Sequence, residues 1–269
     1  MASIAARGEA DVRTRRDQPT IWDVTLTELA RMRRGFIGWY VILLPFIITV
    51  PLYPMSITSP EGRAGRTWTV FRDVSLEAWG VLIPMTAALL AALSVRADQD
   101  AWRLLFSYAV PRSRYLVGKY LALAVLSAVS TALLAALLCG GAALTGRLSG
   151  SLPTILAASV LPWLAGLGCA ALALLIAVMW GLGPTIAVGV LGMMSGMLIS
   201  DKSWWMTVPF AWPMRVILPL AGIGPNGVPL PADSPVRDRG VILPAIALSL
   251  VLAALVLAVG AMHLKRKEI

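Results

Sequence analysis

Six apolar runs, each bounded by charged or turn-forming residues, dominate the chain: about 36–56, 78–95, 120–145, 152–180, 182–199 and 241–263. A helix needs roughly 20 apolar residues to cross about 30 Å of hydrocarbon. The runs therefore predict an all-α integral membrane protein with six transmembrane helices. The break between the fourth and fifth rests on Trp180, Gly181, Gly183 and Pro184, an interfacial aromatic followed by turn formers. Composition agrees: 58% of residues are hydrophobic and 14% charged, against roughly 45–50% and 25% in soluble domains. Those proportions exclude a soluble enzyme, and equally a disordered chain. No cleavable signal peptide is expected, because the first apolar run follows a long polar stretch without a small-residue cleavage site.

The net charge of +9 would suggest a nucleic-acid ligand in a soluble protein. In a membrane chain it first marks cytoplasmic loops, and no nucleic acid is expected. With the N terminus inside, the inner segments hold seven basic residues in the tail, five in the 96–119 loop and three at the C terminus, against eight in the outer loops. This asymmetry predicts a multi-pass protein of the cytoplasmic membrane with both termini in the cytoplasm. Trp39 and Trp180 then flank the inner face, and Trp79, Trp204, Trp205 and Trp212 the outer one. Trp163 falls part-way into the fourth span beside Pro162, where it is expected to pack a kink. Arginine outnumbers lysine 19 to 4, and with abundant alanine this hints at a GC-rich bacterium.

None of the six runs contains an Asp, Glu, Lys or Arg. Ion-coupled carriers and pumps use intramembrane acids or bases as relays, so an ion-driven carrier is disfavoured and any uphill transport would draw on a partner's energy. A phosphate-binding loop is absent, so the chain is not expected to bind ATP or to be an enzyme. Cys139 and Cys169 have no metal-ligand spacing, and the single histidine, His263, lies against Lys265 and Arg266. No metal site is expected.

Four segments carry more specific information. Residues 1–19 form a basic, polar tail expected to be disordered, and 20–269 one transmembrane domain. Residues 20–34 predict an amphipathic helix capped by Thr20 with Asp23 at its third position. Trp22, Leu26, Leu29 and Ala30 share one face; Asp23, Glu28, Arg31 and Arg34 are polar. Such a helix would lie in the inner headgroup layer with its arginines toward anionic lipid. The fifth run carries Thr185, Gly189, Gly192 and Gly196 on one helical face. Glycines so spaced let two helices approach closely, as a seam between subunits or as packing within one. Residues 200–240 form a Trp- and Pro-rich outer segment whose first half predicts short helices dipping into the outer leaflet.

The loop after the second run is the most distinctive. Asp98 and Asp100 lead an apolar-periodic stretch through Trp102, Arg103, Leu105 and Phe106; Pro111 stops it, and Arg112, Arg114 and Lys119 follow. This acid, Leu-Leu, Pro-x-x-Arg and Lys pattern resembles the first cytoplasmic loop of type-2 ABC exporter permeases, in the lantibiotic-immunity and bacitracin-resistance branch. The outer run through Pro209, Phe210, Trp212 and Pro213 is similar to that branch's short Pro-Trp-x-x-Pro segment. Aspartates stand where the branch usually has a glutamate. The resemblance implies a dimeric permease, with a second copy or a paralogue, whose seam lies near the first and fifth spans. It also implies separate ATPase subunits carrying ATP and Mg, and an amphipathic peptide antibiotic or lipid-like cargo expelled from the membrane. Residues 98–114 would be the coupling helix: Trp102, Leu105 and Phe106 as anchor, Asp98, Asp100, Arg103, Arg112 and Arg114 for register. The alternative is a membrane adaptor that recruits a cytoplasmic partner through the same loop without transporting anything.

Overall fold

The computed structural model describes residues 19–54, 61–99 and 111–266. The basic tail and the loop residues Asp100, Trp102, Arg103, Leu105 and Phe106 lie outside the described residues. In chain order the α-helices are α1 (Ile21–Met32), α2 (Phe36–Thr49), α3 (Glu61–Gln99), α4 (Arg112–Leu144), α5 (Leu148–Trp180), α6 (Leu182–Ile199), α7 (Trp212–Ile217) and α8 (Ile242–Arg266). Short 3-10 and π turns join them, and no strand is present among the described residues.

Among the described residues, five segments are long and apolar enough to cross a membrane: Arg66–Asp98, Arg112–Leu144, Leu148–Trp180, Leu182–Ile199 and Arg239–Leu264. A sixth is reached only if α1 and α2, bent by 74°, count as one broken span. The bend falls just before the first apolar run, whose described part begins with α2. α2 has 14 residues, about 21 Å at 1.5 Å per residue. Pro51 follows it in a 3-10 turn, and proline there removes a backbone donor.

The second span also differs from expectation. Residues 61–77, read as outer loop, continue α3 to a length of 39 residues. Arg66, Arg72, Asp73 and Glu77 interrupt the apolar run, yet Trp68, Phe71, Ser75 and Trp79 recur at helical spacing and are all buried. Trp79 is therefore core, not an interfacial belt, and Trp205 and Trp212 are buried with it. Trp39 and Trp180 are exposed. Trp163 of α5 donates its indole N–H to Ser127 Oγ of α4 at 3.0 Å, which pins the helix next to Pro162. The turn between α5 and α6 falls on Gly181, with φ +81°, a conformation that favours glycine.

The first half of the 200–240 segment forms short helices, Trp205–Thr207, Pro209–Ala211 and α7, packed into the bundle. Ala211, Met214, Val216, Ile217 and Leu218 are fully buried, and α7 packs against α3, α5 and α8 of the same chain. Arg215 holds the return loop from beneath, donating Nη1–H to Val236 O at 2.9 Å. One core cluster is alanine-rich, with Ala87, Ala88, Ala91, Ala122, Ala171 and Ala173 among its members. Small residues let helices close on one another where lipid supplies no hydrophobic drive.

Positions with room for a probe test the orientation. Gly150 and Gly183 have nothing within 4 Å of an added Cβ, and both are exposed, as is Asp233. After replacement of Cys139 and Cys169 by alanine, Gly150→Cys and Asp233→Cys are expected to react with an impermeant maleimide in intact cells, and Gly183→Cys only after lysis. Labelling of Gly183→Cys in intact cells would invert the map.

Candidate functional site

Where the chain leaves α3 for the 100–110 loop and returns in α4, three helices present one paired register each. α3 offers Ser94 and Asp98, four residues apart; α4 offers Tyr115 and Lys119, also four apart; α1 offers Glu28 and Arg31, three apart. Such spacings place both members on one helix face. The faces meet in a single cluster. Lys119 Nζ lies 2.7 Å from Asp98 Oδ2 and 3.0 Å from Glu28 Oε2, and it donates to Ser94 Oγ at 2.7 Å and Ser94 O at 3.1 Å. Tyr115 donates its hydroxyl to Asp98 Oδ2 at 2.5 Å. Arg31 donates Nη1–H to Asp98 Oδ1 and Nη2–H to Glu28 Oε2, the latter at 2.8 Å.

The cluster balances two acids against two bases, and Asp98, Lys119 and Ser94 have no solvent exposure. An isolated buried charge costs several kcal/mol, so such groups persist only when paired and hydrogen-bonded. Burial pulls the Arg31 guanidinium down, but the Asp98 hydrogen bond and the Glu28 and Asp98 charges outweigh it and hold Arg31 above its ordinary value. Every member therefore has a partner of opposite charge or a hydroxyl, and the cluster is a fastener for α1, α3 and α4.

Local sequence explains how α1 reaches it. Thr20 and Asp23 form a reciprocal capping box, with Asp23 N–H donating to Thr20 Oγ1 at 3.2 Å and Thr20 N–H to Asp23 Oδ2 at 2.8 Å. Gly118 admits the helix: a Cβ there would stand 2.7 Å from Val24 Cγ1. Thr25 Oγ1 then donates to Gly118 O at 3.2 Å. The polar side of α1 consequently faces protein, with Thr25 and Glu28 buried, while Trp22 and Leu26 are 65% and 60% exposed. Arg31 turns to Asp98 and not to lipid, which corrects the expectation for that side chain.

Of the predicted loop residues, Asp98 is at the centre of the cluster. Pro111 precedes α4. Arg112 donates to Leu264 O at the end of α8, and Arg114 to Pro19 O at 3.2 Å, just before α1. Both arginines are half-buried and tie the start of α1 and the end of α8 to α4. Sequence reasoning did not assemble Glu28, Arg31, Ser94, Tyr115 and Lys119. The available signal was Lys119 itself, a lysine set directly against an apolar run.

The glycine face of α6 is covered by the same chain. A Cβ on Gly189 would lie 2.5 Å from Ala88 Cβ, and one on Gly192 would lie 2.8 Å from Phe210 Cδ1 and 3.1 Å from Pro84 Cβ. Thr185 and Gly196 are buried as well. The four residues thus serve packing within one chain and present no surface for a subunit seam; the free side of α6 is Val190, Leu191, Met194 and Leu198. Overpacking of this kind costs about 1–3 kcal/mol. Gly192→Leu is accordingly expected to lower the melting temperature of the purified chain in mild detergent; an unchanged melting temperature would show that Phe210 moves aside freely.

Two apolar spaces lie deeper. A narrow one inside the bundle is lined by Thr86, Leu123, Ser127 and Trp163, among others. A lateral groove of about 370 Å³ between α4 and α5 is lined by Ala128, Ala132, Ala136, Val160 and again Trp163. Among the described residues no three His, Cys, Asp or Glu side chains come together as a metal site. Compared with known proteins, the chain matches no protein-family model and no curated protein.

Proposed function

We propose that the chain is the membrane permease subunit of an ATP-driven exporter, working with a separate ATPase subunit that carries ATP and Mg. The observation that carries this reading is the buried ion cluster at the root of the 100–110 loop. A force applied to that loop from the cytoplasm would reach α1, α3 and α4 together, because Asp98 and Lys119 join all three through charge-assisted bonds.

The lateral groove beside Trp163 supports an amphipathic or lipid-like cargo taken from the membrane. Its walls are almost wholly apolar, and such cargo needs no charged relay within the spans. The exposed side of α6 supports a second permease copy or a paralogue as neighbour. The chain belongs in this reading to a bacterial cytoplasmic membrane with both termini inside, and expulsion of a peptide antibiotic would confer resistance or immunity.

Co-purification from the native membrane tests it. An ATPase subunit is expected to accompany the tagged chain, with ATP turnover that rises when an amphipathic cationic peptide is added. A retained cytoplasmic partner without nucleotide hydrolysis would favour the adaptor reading instead.

A further inference from the structure

At the opposite end of α3 from the ion cluster, the helix and the return loop enclose a cavity of about 540 Å³, within the roughly 300–1,000 Å³ typical of ligand sites. Three guanidinium groups line it: Arg66 and Arg72 from α3, and Arg237 from the loop. Arg72 is neutralised by its neighbour, with Nε and Nη2 at 2.8 and 2.7 Å from Asp73 Oδ1. The other two are not. Among the described residues Arg66 has neither a hydrogen bond nor an ion pair. Arg237 donates only to neutral carbonyls, Leu230 O at 2.6 Å and Gly222 O at 3.4 Å.

The nearby acids are engaged elsewhere. Glu77 accepts the N–H of Gly227, itself in the cavity wall, and Asp238 accepts Gly240 N–H at 2.8 Å. Asp73, the carboxylate in the lining, is taken up by Arg72, so among the described residues Arg66 and Arg237 face the cavity without an ion-pair partner of their own. Gly222, at φ +72°, lets the Arg237 guanidinium lie over the turn, since an added Cβ would stand 3.4 Å from both terminal nitrogens. Beside Thr69 and the paired Asp73, the rest of the wall is largely apolar, with Val70, Val74, Ala221, Ile223 and Pro229. Arg66 also begins the segment apolar enough to span, so the cavity lies at one end of that span, with the apolar residues of its wall beside the guanidiniums.

We infer that this cavity binds the phosphate headgroup of an anionic lipid in the outer leaflet, with Arg66 and Arg237 as its ligands. Guanidinium forks match phosphate oxygens in bidentate geometry. Neither free inorganic phosphate nor a zwitterionic lipid uses the whole site: the first leaves the apolar wall bare, and the second brings its own cation next to two guanidiniums. The inference goes beyond the permease reading, and its test involves no ATPase, so each can fail without the other.

Native mass spectrometry of the full chain, released from micelles doped equally with phosphatidylglycerol and phosphatidylcholine, reads the site directly. One phosphatidylglycerol is expected to survive activation that strips phosphatidylcholine. Arg66→Gln, at an exposed position with no partner among the described residues, is expected to weaken that retention about tenfold or more, as loss of a charged hydrogen bond does. Arg66→Lys keeps the charge without the fork and should fall between. Arg33→Gln, on the inner side, should leave the retained copy in place. Equal retention of the two lipids, or wild-type retention by Arg66→Gln, would overturn the inference. Competition by millimolar inorganic phosphate or glycerol 3-phosphate as effective as the lipid would overturn it in favour of a free-phosphate site.

Discussion

Lys119→Met is expected to be the most damaging single substitution outside the lipid-facing surface. The lysine is fully buried and bridges Asp98 and Glu28. Methionine fills much of the same volume, so the loss is almost purely electrostatic: two carboxylates remain, with Arg31 as their sole cation in the cluster. Removing one partner of a buried ion pair costs about 3–5 kcal/mol, which in a chain of this size lowers the melting temperature by on the order of 10 °C. The lowering should be visible as early aggregation in heated detergent extracts analysed by size exclusion. A second change separates charge imbalance from lost packing. Glu28→Gln added to Lys119→Met leaves the Arg31–Asp98 pair balanced, and should recover a substantial part of the stability. Lys202→Met gives the comparison, since that lysine is half exposed beside Asp201 and surface pairs contribute about 0–1 kcal/mol. A melting temperature for Lys119→Met equal to wild type would show that the cluster does not fasten the three helices.

Part of this architecture is written in the sequence in a form that periodicity and hydropathy read directly. Uncharged runs of 18 or more residues declare membrane helices because lipid tolerates little else. Other parts depend on partners that a linear pattern does not name. The start of α3 was hidden because Arg66, Arg72, Asp73 and Glu77 lower the hydropathy, although Trp68, Phe71 and Ser75 kept a helical stripe that is buried against the rest of the chain. Tryptophan is ambiguous for a related reason. An amphipathic ring suits the membrane interface, as at Trp39, but equally a protein interior, as at Trp79 and Trp212. The glycines of α6 announced a close approach without saying to what, and Phe210 and Pro84 supplied the answer. For α1 the usual rule reversed: its charged side turned inward because Lys119 and Asp98 were waiting there, and Trp22 and Leu26 were left to face outward.

Trp102→Ala is the substitution on which the coupling role of the loop depends. Trp102 lies in the segment between Asp98 and Pro111, outside the described residues, so its role rests on sequence alone: an aromatic residue amid Arg103, Leu105 and Phe106 on the face the charge asymmetry assigns to the cytoplasm. Truncating an aromatic interface anchor commonly costs about 2 kcal/mol or more, roughly a thirtyfold loss of affinity. The ATPase subunit is therefore expected to be largely lost from the purified complex, and cargo-stimulated ATP turnover with it, while the amount of chain in the membrane stays unchanged. Arg112→Ala and Arg114→Ala should act differently. Their guanidiniums hold Leu264 O and Pro19 O, so each change loosens the end of α8 or the start of α1 and removes one charge from the rim of the docking surface. Rim charges mainly alter association rate and salt sensitivity, and these two variants should bind the subunit only modestly less well, with the deficit clearest at low salt. The decisive comparison is Trp102→Ala with Lys119→Met. If the loop docks and the cluster transmits, the first variant loses the ATPase subunit, whereas the second, held below its lowered melting temperature, keeps it but no longer raises turnover in response to cargo. A Trp102→Ala complex that assembles and hydrolyses ATP like wild type would remove this loop from the coupling path and leave the ion cluster a purely structural fastener.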